Sequence, residues 1–140
     1  MKKIMIVSDN LLDYNHIFGL FDALIDNPEY DVETILYIED ARYRLKVLSY
    51  DLIVIDVANS PFGQFSLEET QGGNITGIVW CEKELLGLGI PILFWSNWED
   101  HPNLVKNFIS KYPENKIGFL WRVSLDKNHL SEGIKNFLNY

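Results

Sequence analysis

The stretch 50–57, Tyr-Asp-Leu-Ile-Val-Ile-Asp-Val, constrains the fold of this chain more than any other. Leu52, Ile53, Val54 and Ile55 are apolar without a break, and the carboxylate of Asp56 interrupts the run only near its end. A strand buried on one face alternates apolar and polar residues, whereas an unbroken run of this length suits a central parallel strand covered by helices on both faces. Asp56 then stands where the strand leaves the core. Ligands of open α/β sheets collect outside the carboxyl ends of the strands, so a carboxylate there is placed for chemistry. From one strand alone, an Asp that merely caps the following loop is an equally open reading.

The rest of the chain repeats the pattern. Strand-length apolar runs recur at 4–7, 34–38, 52–57, 92–95 and 117–121. Helical spacing lies between and after them: Ile17, Leu20, Phe21, Leu24 and Ile25; Ala41, Leu45 and Leu48; Ile78, Cys81 and Leu85; Leu104, Phe108 and Ile109; Leu130, Ile134, Phe137 and Leu138. Five strands alternating with five helices predict right-handed crossovers and a doubly wound α/β domain over residues 1–140. Asn27-Pro28, Gly87-Leu88-Gly89, Pro91 and Tyr112-Pro113 punctuate the chain at the expected joints. Residues 58–75 break the rule of short connections, since they carry Pro61, Gly63, Gly72 and Gly73 and show no periodicity. A structureless loop beyond about 12–15 residues is uncommon and usually functional or disordered. Its departure directly after Asp56 favours function, as an excursion over that edge. Gly72 to Gly77 lacks the Gly-Lys-Ser/Thr ending of a phosphate loop and reads as a flexible hinge with Thr76 as a helix N-cap.

Composition excludes several classes. Twelve basic against twenty acidic residues give a net charge of −8, which repels phosphate backbones and argues against nucleic-acid binding. Arg42, Arg44 and Lys46, the densest basic cluster, read as a solvated helix face. No run of 18 apolar residues offers a membrane span. The start, Met1-Lys2-Lys3, passes into an apolar run too short for a signal peptide, which points to a cytoplasmic location. Cys81 stands alone in a helical pattern as a small buried hydrophobe, and His16, His101 and His129 are too dispersed for a zinc site.

In a parallel sheet of this kind Asp9 follows the first strand, Asp56 ends the third, Ser96 the fourth and Arg122 the fifth, and all four converge on one edge. Two neighbouring carboxylates repel each other unless a cation relieves them, and either a divalent metal or a guanidinium serves. Such an edge suits an anion or a phosphoryl group.

Residues 4–10 (Ile-Met-Ile-Val-Ser-Asp-Asn), 50–57, 91–96 (Pro-Ile-Leu-Phe-Trp-Ser) and 119–122 (Phe-Leu-Trp-Arg) together resemble the four signature segments of the response-regulator receiver domain. The resemblance spans the chain in order and spacing, the long loop excepted. It implies a flavodoxin-like (βα)5 sheet of order 2-1-3-4-5 in two-component signalling or a phosphorelay. It also implies Asp56 as the phosphoacceptor, Asp9 with Asp56 and the Ala58 carbonyl as ligands of Mg2+, Ser96 as the switch hydroxyl and Phe119 as the aromatic that moves with it. The implied partners are a histidine kinase or phosphotransfer protein and a downstream protein partner, with a homodimer left open. No enzymatic turnover is expected beyond slow autodephosphorylation. The chain ends just after its last helix, so a stand-alone receiver is expected.

Two departures mark this sequence. The usual acidic pair is reduced to Ser8-Asp9, which weakens or abolishes Mg2+ binding, and the usual Lys is Arg122, followed by Val123 in place of Pro. A guanidinium engages a carboxylate bidentately without a metal and lowers its pKa, so Arg122 is expected within salt-bridge reach of Asp56. The alternative function is therefore a pseudo-receiver that binds a protein partner constitutively, without phosphorylation.

Overall fold

The computed structural model describes residues 1–9, 22–61, 63–122 and 128–139. Of the first-helix face, Ile17, Leu20 and Phe21 lie outside the described residues, as does Val123. The strands are β1 (Lys2–Val7), β2 (Tyr30–Ile35), β3 (Leu52–Asp56), β4 (Ile92–Ser96) and β5 (Ile117–Trp121). The helices are α1 (Asp22–Ile25), α2 (Ile38–Val47), α3 (Thr76–Trp80), α4 (His101–Lys111) and α5 (His129–Leu138). After α3 the chain continues as a π-helical turn, Cys81–Leu85, and a 3-10 turn, Leu86–Leu88, before Gly89 closes it in the left-handed region. All strand pairs are parallel in the order β2-β1-β3-β4-β5, which is the expected doubly wound sheet.

Side-chain alternation splits the central strands between two cores. Met5, Val7, Ile53, Ile55, Ile92 and Phe94 face one layer, where they meet Ile38 and Ala41 of α2, Trp80 of α3, Cys81 and Leu85 of the turn after it, and Val105 and Phe108 of α4. Ile4, Ile6, Leu52, Val54, Leu93 and Trp95 face the other, where they meet Leu24 of α1 and Leu130 and Ile134 of α5. Every residue of β3 and β4 is buried. Each large side chain removed from water in this way contributes about 1.5–3 kcal/mol, which is why an unbroken apolar run is kept only in these positions.

The second strand falls at residues 30–35 and not at 34–38, because Lys2 to Val7 pair in register with Tyr30 to Ile35 and Ile38 already opens α2. This edge strand carries Asp31 and Glu33, whose carboxylates pair with Lys3, and Glu33 also takes Arg44. Charge on an edge strand guards against unwanted pairing and hides the strand from an apolar-run search. The basic cluster on α2 is correspondingly paired, Arg42 with Glu84 and Arg44 with Glu33.

The described residues of the 58–75 segment are tied together by hydrogen bonds of their own. Ser66 and Glu69 cap each other: the Ser66 N–H donates to Glu69 Oε2 at 3.1 Å and the Glu69 N–H to Ser66 Oγ at 3.0 Å. The Thr70 hydroxyl donates to the Ser66 carbonyl at 2.9 Å, and Thr70 is fully buried. The α3 N-cap is Ile75, so Thr76 is the first helical residue and its hydroxyl donates back to the Gly73 carbonyl at 3.1 Å. Gly77 is a packing residue: a Cβ there would lie 2.6 Å from the Asp56 carbonyl oxygen and 2.8 Å from Ile55 Cγ2. The helix therefore presses directly on the end of β3.

Candidate functional site

Register decides which side chains meet at the carboxyl edge. Val7 pairs with Ile55, so the next step sets Ser8 opposite Asp56; on the other side Asp56 pairs with Trp95. The Ser8 hydroxyl donates to Asp56 Oδ2 at 2.9 Å. Arg122, just past β5, reaches the same oxygen with its guanidinium NH2 at 2.9 Å, while its Cζ lies 4.3 Å from the centroid of the Trp95 ring. The Ala58 N–H donates to Asp56 Oδ1 at 3.3 Å. Asp56 is only 2% exposed and Arg122 6%, so this is a buried ion pair roofed by an aromatic face.

Burial pushes the Asp56 carboxyl above its ordinary value; Arg122 and the Ser8 hydroxyl pull it down without fully offsetting the loss of water. The downward shift expected from the guanidinium alone is thus reversed, because desolvation of the charge outweighs the attraction.

Asp9 lies on the opposite alternation to Ser8. Its Oδ2 accepts the Ser60 N–H at 2.9 Å, its own N–H donates to Asn59 Oδ1 at 3.1 Å, and its Oδ1 is buried without a hydrogen-bond partner. Buried Asn59 donates to the Asp56 carbonyl at 2.5 Å and to the Val7 carbonyl at 3.5 Å, which ties the ends of β1 and β3 together. Ser96 follows Trp95 and so faces the other layer. There its hydroxyl bonds His101 Nδ1, accepts the Trp98 N–H at 3.1 Å, and is fully buried. The opposite ring nitrogen, His101 Nε2, meets Asn74 Oδ1 at 3.1 Å. With Asn74 accepting, Nε2 carries the proton and Ser96 donates to Nδ1. Trp98 stacks on the buried imidazole, ring centroids 5.4 Å apart and 3° from parallel. Phe119, in register with Phe94, is partly buried and tilts against Trp121.

Of the residues singled out from the sequence, Asp56, Arg122 and Ala58 meet directly. Asp9 is held one layer away, and Ser96 is committed to His101. The sequence reading missed His101 and Asn74, whose contact joins a helix start to a loop 27 positions earlier without any local spacing to announce it. It also missed Asn59, for which an Asn at a strand end was a usable signal.

A resident Mg2+ does not fit these side chains. The position that a second acid would hold is a hydroxyl donor, and Asp56 already has its cation in Arg122. Asp9 has one oxygen tied to backbone. Among the described residues no three His, Cys, Asp or Glu gather around a common point where a metal ion could bind.

No protein-family model and no curated protein matches the chain. Solved structures do. A two-component response regulator from Clostridium difficile matches with a TM-score of 0.66 at 16% identity, over 99% of this chain and 97% of that one. The response regulator TrrA from Thermotoga maritima, solved in complex with Mg2+-BeF, matches with a TM-score of 0.61 at 18% identity, over 98% and 99%. The chain has the fold of response-regulator receivers, as the signature segments implied. A de novo designed Rossmann 2x3 protein also matches, with a TM-score of 0.54 at 20% identity over 99% and 90%, so the function has to be argued from the site.

Proposed function

We propose that this chain is a receiver-type signalling module that acts by binding a protein partner, with Asp56 locked against Arg122 and withheld from phosphoryl transfer. One observation carries the reading: Asp56 is buried and its carboxylate is taken up by Arg122, Ser8 and the Ala58 N–H. Phosphorylation of a carboxylate needs an oxygen free for in-line attack and a cation left over for the incoming phosphoryl charge. Here the acceptor oxygens are engaged, the Arg122 guanidinium is spent on the acceptor itself, and the Ser96 hydroxyl faces His101. The module performs no turnover. A cytoplasmic setting accords with the receiver-like fold, and among the described residues no helix is long and apolar enough to cross a membrane.

The second reading is acceptance of a phosphoryl group on Asp56 from a histidine kinase or phosphotransfer protein. It is favoured by the placement of Asp56 at the carboxyl edge and by the Asp9 oxygen that lacks a partner just past the neighbouring strand. Intact-mass measurement after incubation with acetyl phosphate and Mg2+ separates the two. The locked reading expects no phosphoryl mass gain in the wild type and a gain once Ser8→Asp and Arg122→Lys are combined. A gain in the wild type that Asp56→Asn abolishes overturns it.

A further inference from the structure

Beside the end of β3, an open cleft of about 610 Å3 is lined by Asp9, Ser60, Leu67, Gln71 and Trp98 among others. Asp9 is the one ionisable group among its described lining residues. Its carboxylate accepts the Ser60 N–H through Oδ2 and leaves Oδ1 buried with no donor, an unmet demand that costs free energy until an N–H reaches it. Trp98 is half exposed, and the buried His101 ring backs its indole in parallel, so a flat aromatic face is held rigid at the rim. The chain neighbours of Leu67 and Trp98 add exposed carboxylates at Glu68, Glu99 and Asp100.

We propose that this cleft is a recognition site for a guanidinium group, an arginine side chain presented by a basic segment of a partner protein. Three features select that chemistry. A planar guanidinium stacks on an indole face, and it donates in a fork to a carboxylate. It is also less strongly hydrated than an ammonium, which matters because Asp9 Oδ1 lies beneath the surface and the donor must shed water to meet it. The overall charge of −8 draws a basic partner from a distance and makes the encounter salt-dependent. The proposal names the partner chemistry for the edge that the locked reading assigns to protein binding, and it rests on that reading only for the partner being a protein.

The probes are the N-acetyl amides of arginine, lysine and citrulline, titrated into the full chain by NMR with the Trp98 indole N–H as reporter. Saturable binding of the arginine amide is expected, weaker by about tenfold or more for lysine, for neutral citrulline and for the Asp9→Asn variant. Asp9→Asn keeps an oxygen for the Ser60 N–H and so keeps the fold; Trp98→Ala, on an exposed side chain, is the second variant and should weaken binding in the same direction. Equal affinity for arginine and citrulline, or unchanged affinity in both variants, overturns the proposal. The same titration on protein treated with acetyl phosphate keeps the two ideas apart. Arginine binding together with a mass gain on Asp56 sinks the locked reading and leaves the cleft standing; no binding and no mass gain does the reverse.

Discussion

Asp56 with Arg122 and Ser96 with His101 occupy the same edge of the same sheet, one strand step apart and on opposite faces, yet they are held by opposite physics. The first is an ion pair whose charges are both shut away from water. The second is a neutral chain of hydrogen bonds that runs from the end of β4 through the imidazole to Asn74 of the long loop. Burial works against both, raising the Asp56 carboxyl and lowering the His101 imidazole, because in each case it disfavours the charged form. Asp56 keeps its charge through a dedicated partner. His101 has no opposite charge in hydrogen bond with it, so it keeps its place by staying neutral. The charged cluster fixes the floor of the site, and the neutral one fastens its cover.

The largest effect belongs to the ion pair. Removing the guanidinium strands a buried carboxylate, so Arg122→Met alone should cost about 3–5 kcal/mol in chemical denaturation. Asp56→Asn alone should cost less, because burial already favours the neutral carboxyl, and the double variant Asp56→Asn with Arg122→Met should lose less than Arg122→Met alone, since no carboxylate is left without its cation. Additive losses would mean that the two groups do not act as a pair.

Next comes the packing of α3 on the strand that bears Asp56. Gly77→Ala places a methyl 2.6 Å from the Asp56 carbonyl oxygen, where backbone cannot yield, and about 1–3 kcal/mol should be lost. If the floor is as rigid as the comparison implies, Gly63→Ala, with open space around its Cβ, should not mimic the effect beyond the strain of its left-handed backbone. Thermal denaturation of the two variants side by side checks this.

The two clusters were not equally legible in the sequence. Strand spacing brings Asp56 and Arg122 to one edge because parallel registers carry neighbouring strand ends together, and complementary charge makes their meeting easy to foresee. Ser96 lies at that edge too, but its hydroxyl turns to His101; the unbroken apolar run of β4 hides the alternation that sends Trp95 towards Asp56 and Ser96 away from it. His101 reads in sequence as one dispersed histidine, since its partners come from a strand end and a distant loop. The order inside 58–75 was readable in one respect, the Ser66 to Glu69 capping spacing, which a search for apolar periodicity passes over.

The smallest effect is a dependence on pH that only the neutral cluster should show near neutrality. The imidazole is flanked by Ser96 and Asn74, stacked by Trp98, favoured in its charged form by Asp100 and disfavoured by Arg122, and its net pKa lies below the ordinary 6.5 because desolvation dominates. A base whose folded pKa is depressed contributes stability that is full above its unfolded value. That stability is lost as pH falls through 6.5 towards the folded value, where the unfolded chain binds the extra proton. Protonation also puts a hydrogen on Nδ1, so Ser96 can no longer donate there, and the tie from β4 to the loop weakens. Asp56 shifts in the other sense: its raised pKa makes the folded state gain, not lose, as acid first neutralises it, so the two slopes have opposite signs. Protection factors of the described 58–75 amides, with the intrinsic exchange rate at each pH divided out, should therefore fall between about pH 7 and about pH 5, ahead of any change in the amides of β3. His101→Leu should remove that pH dependence at the cost of a loop loosened at every pH. A slope that survives in His101→Leu would assign the acid sensitivity to some other group and break the contrast between a charged floor and a neutral fastening.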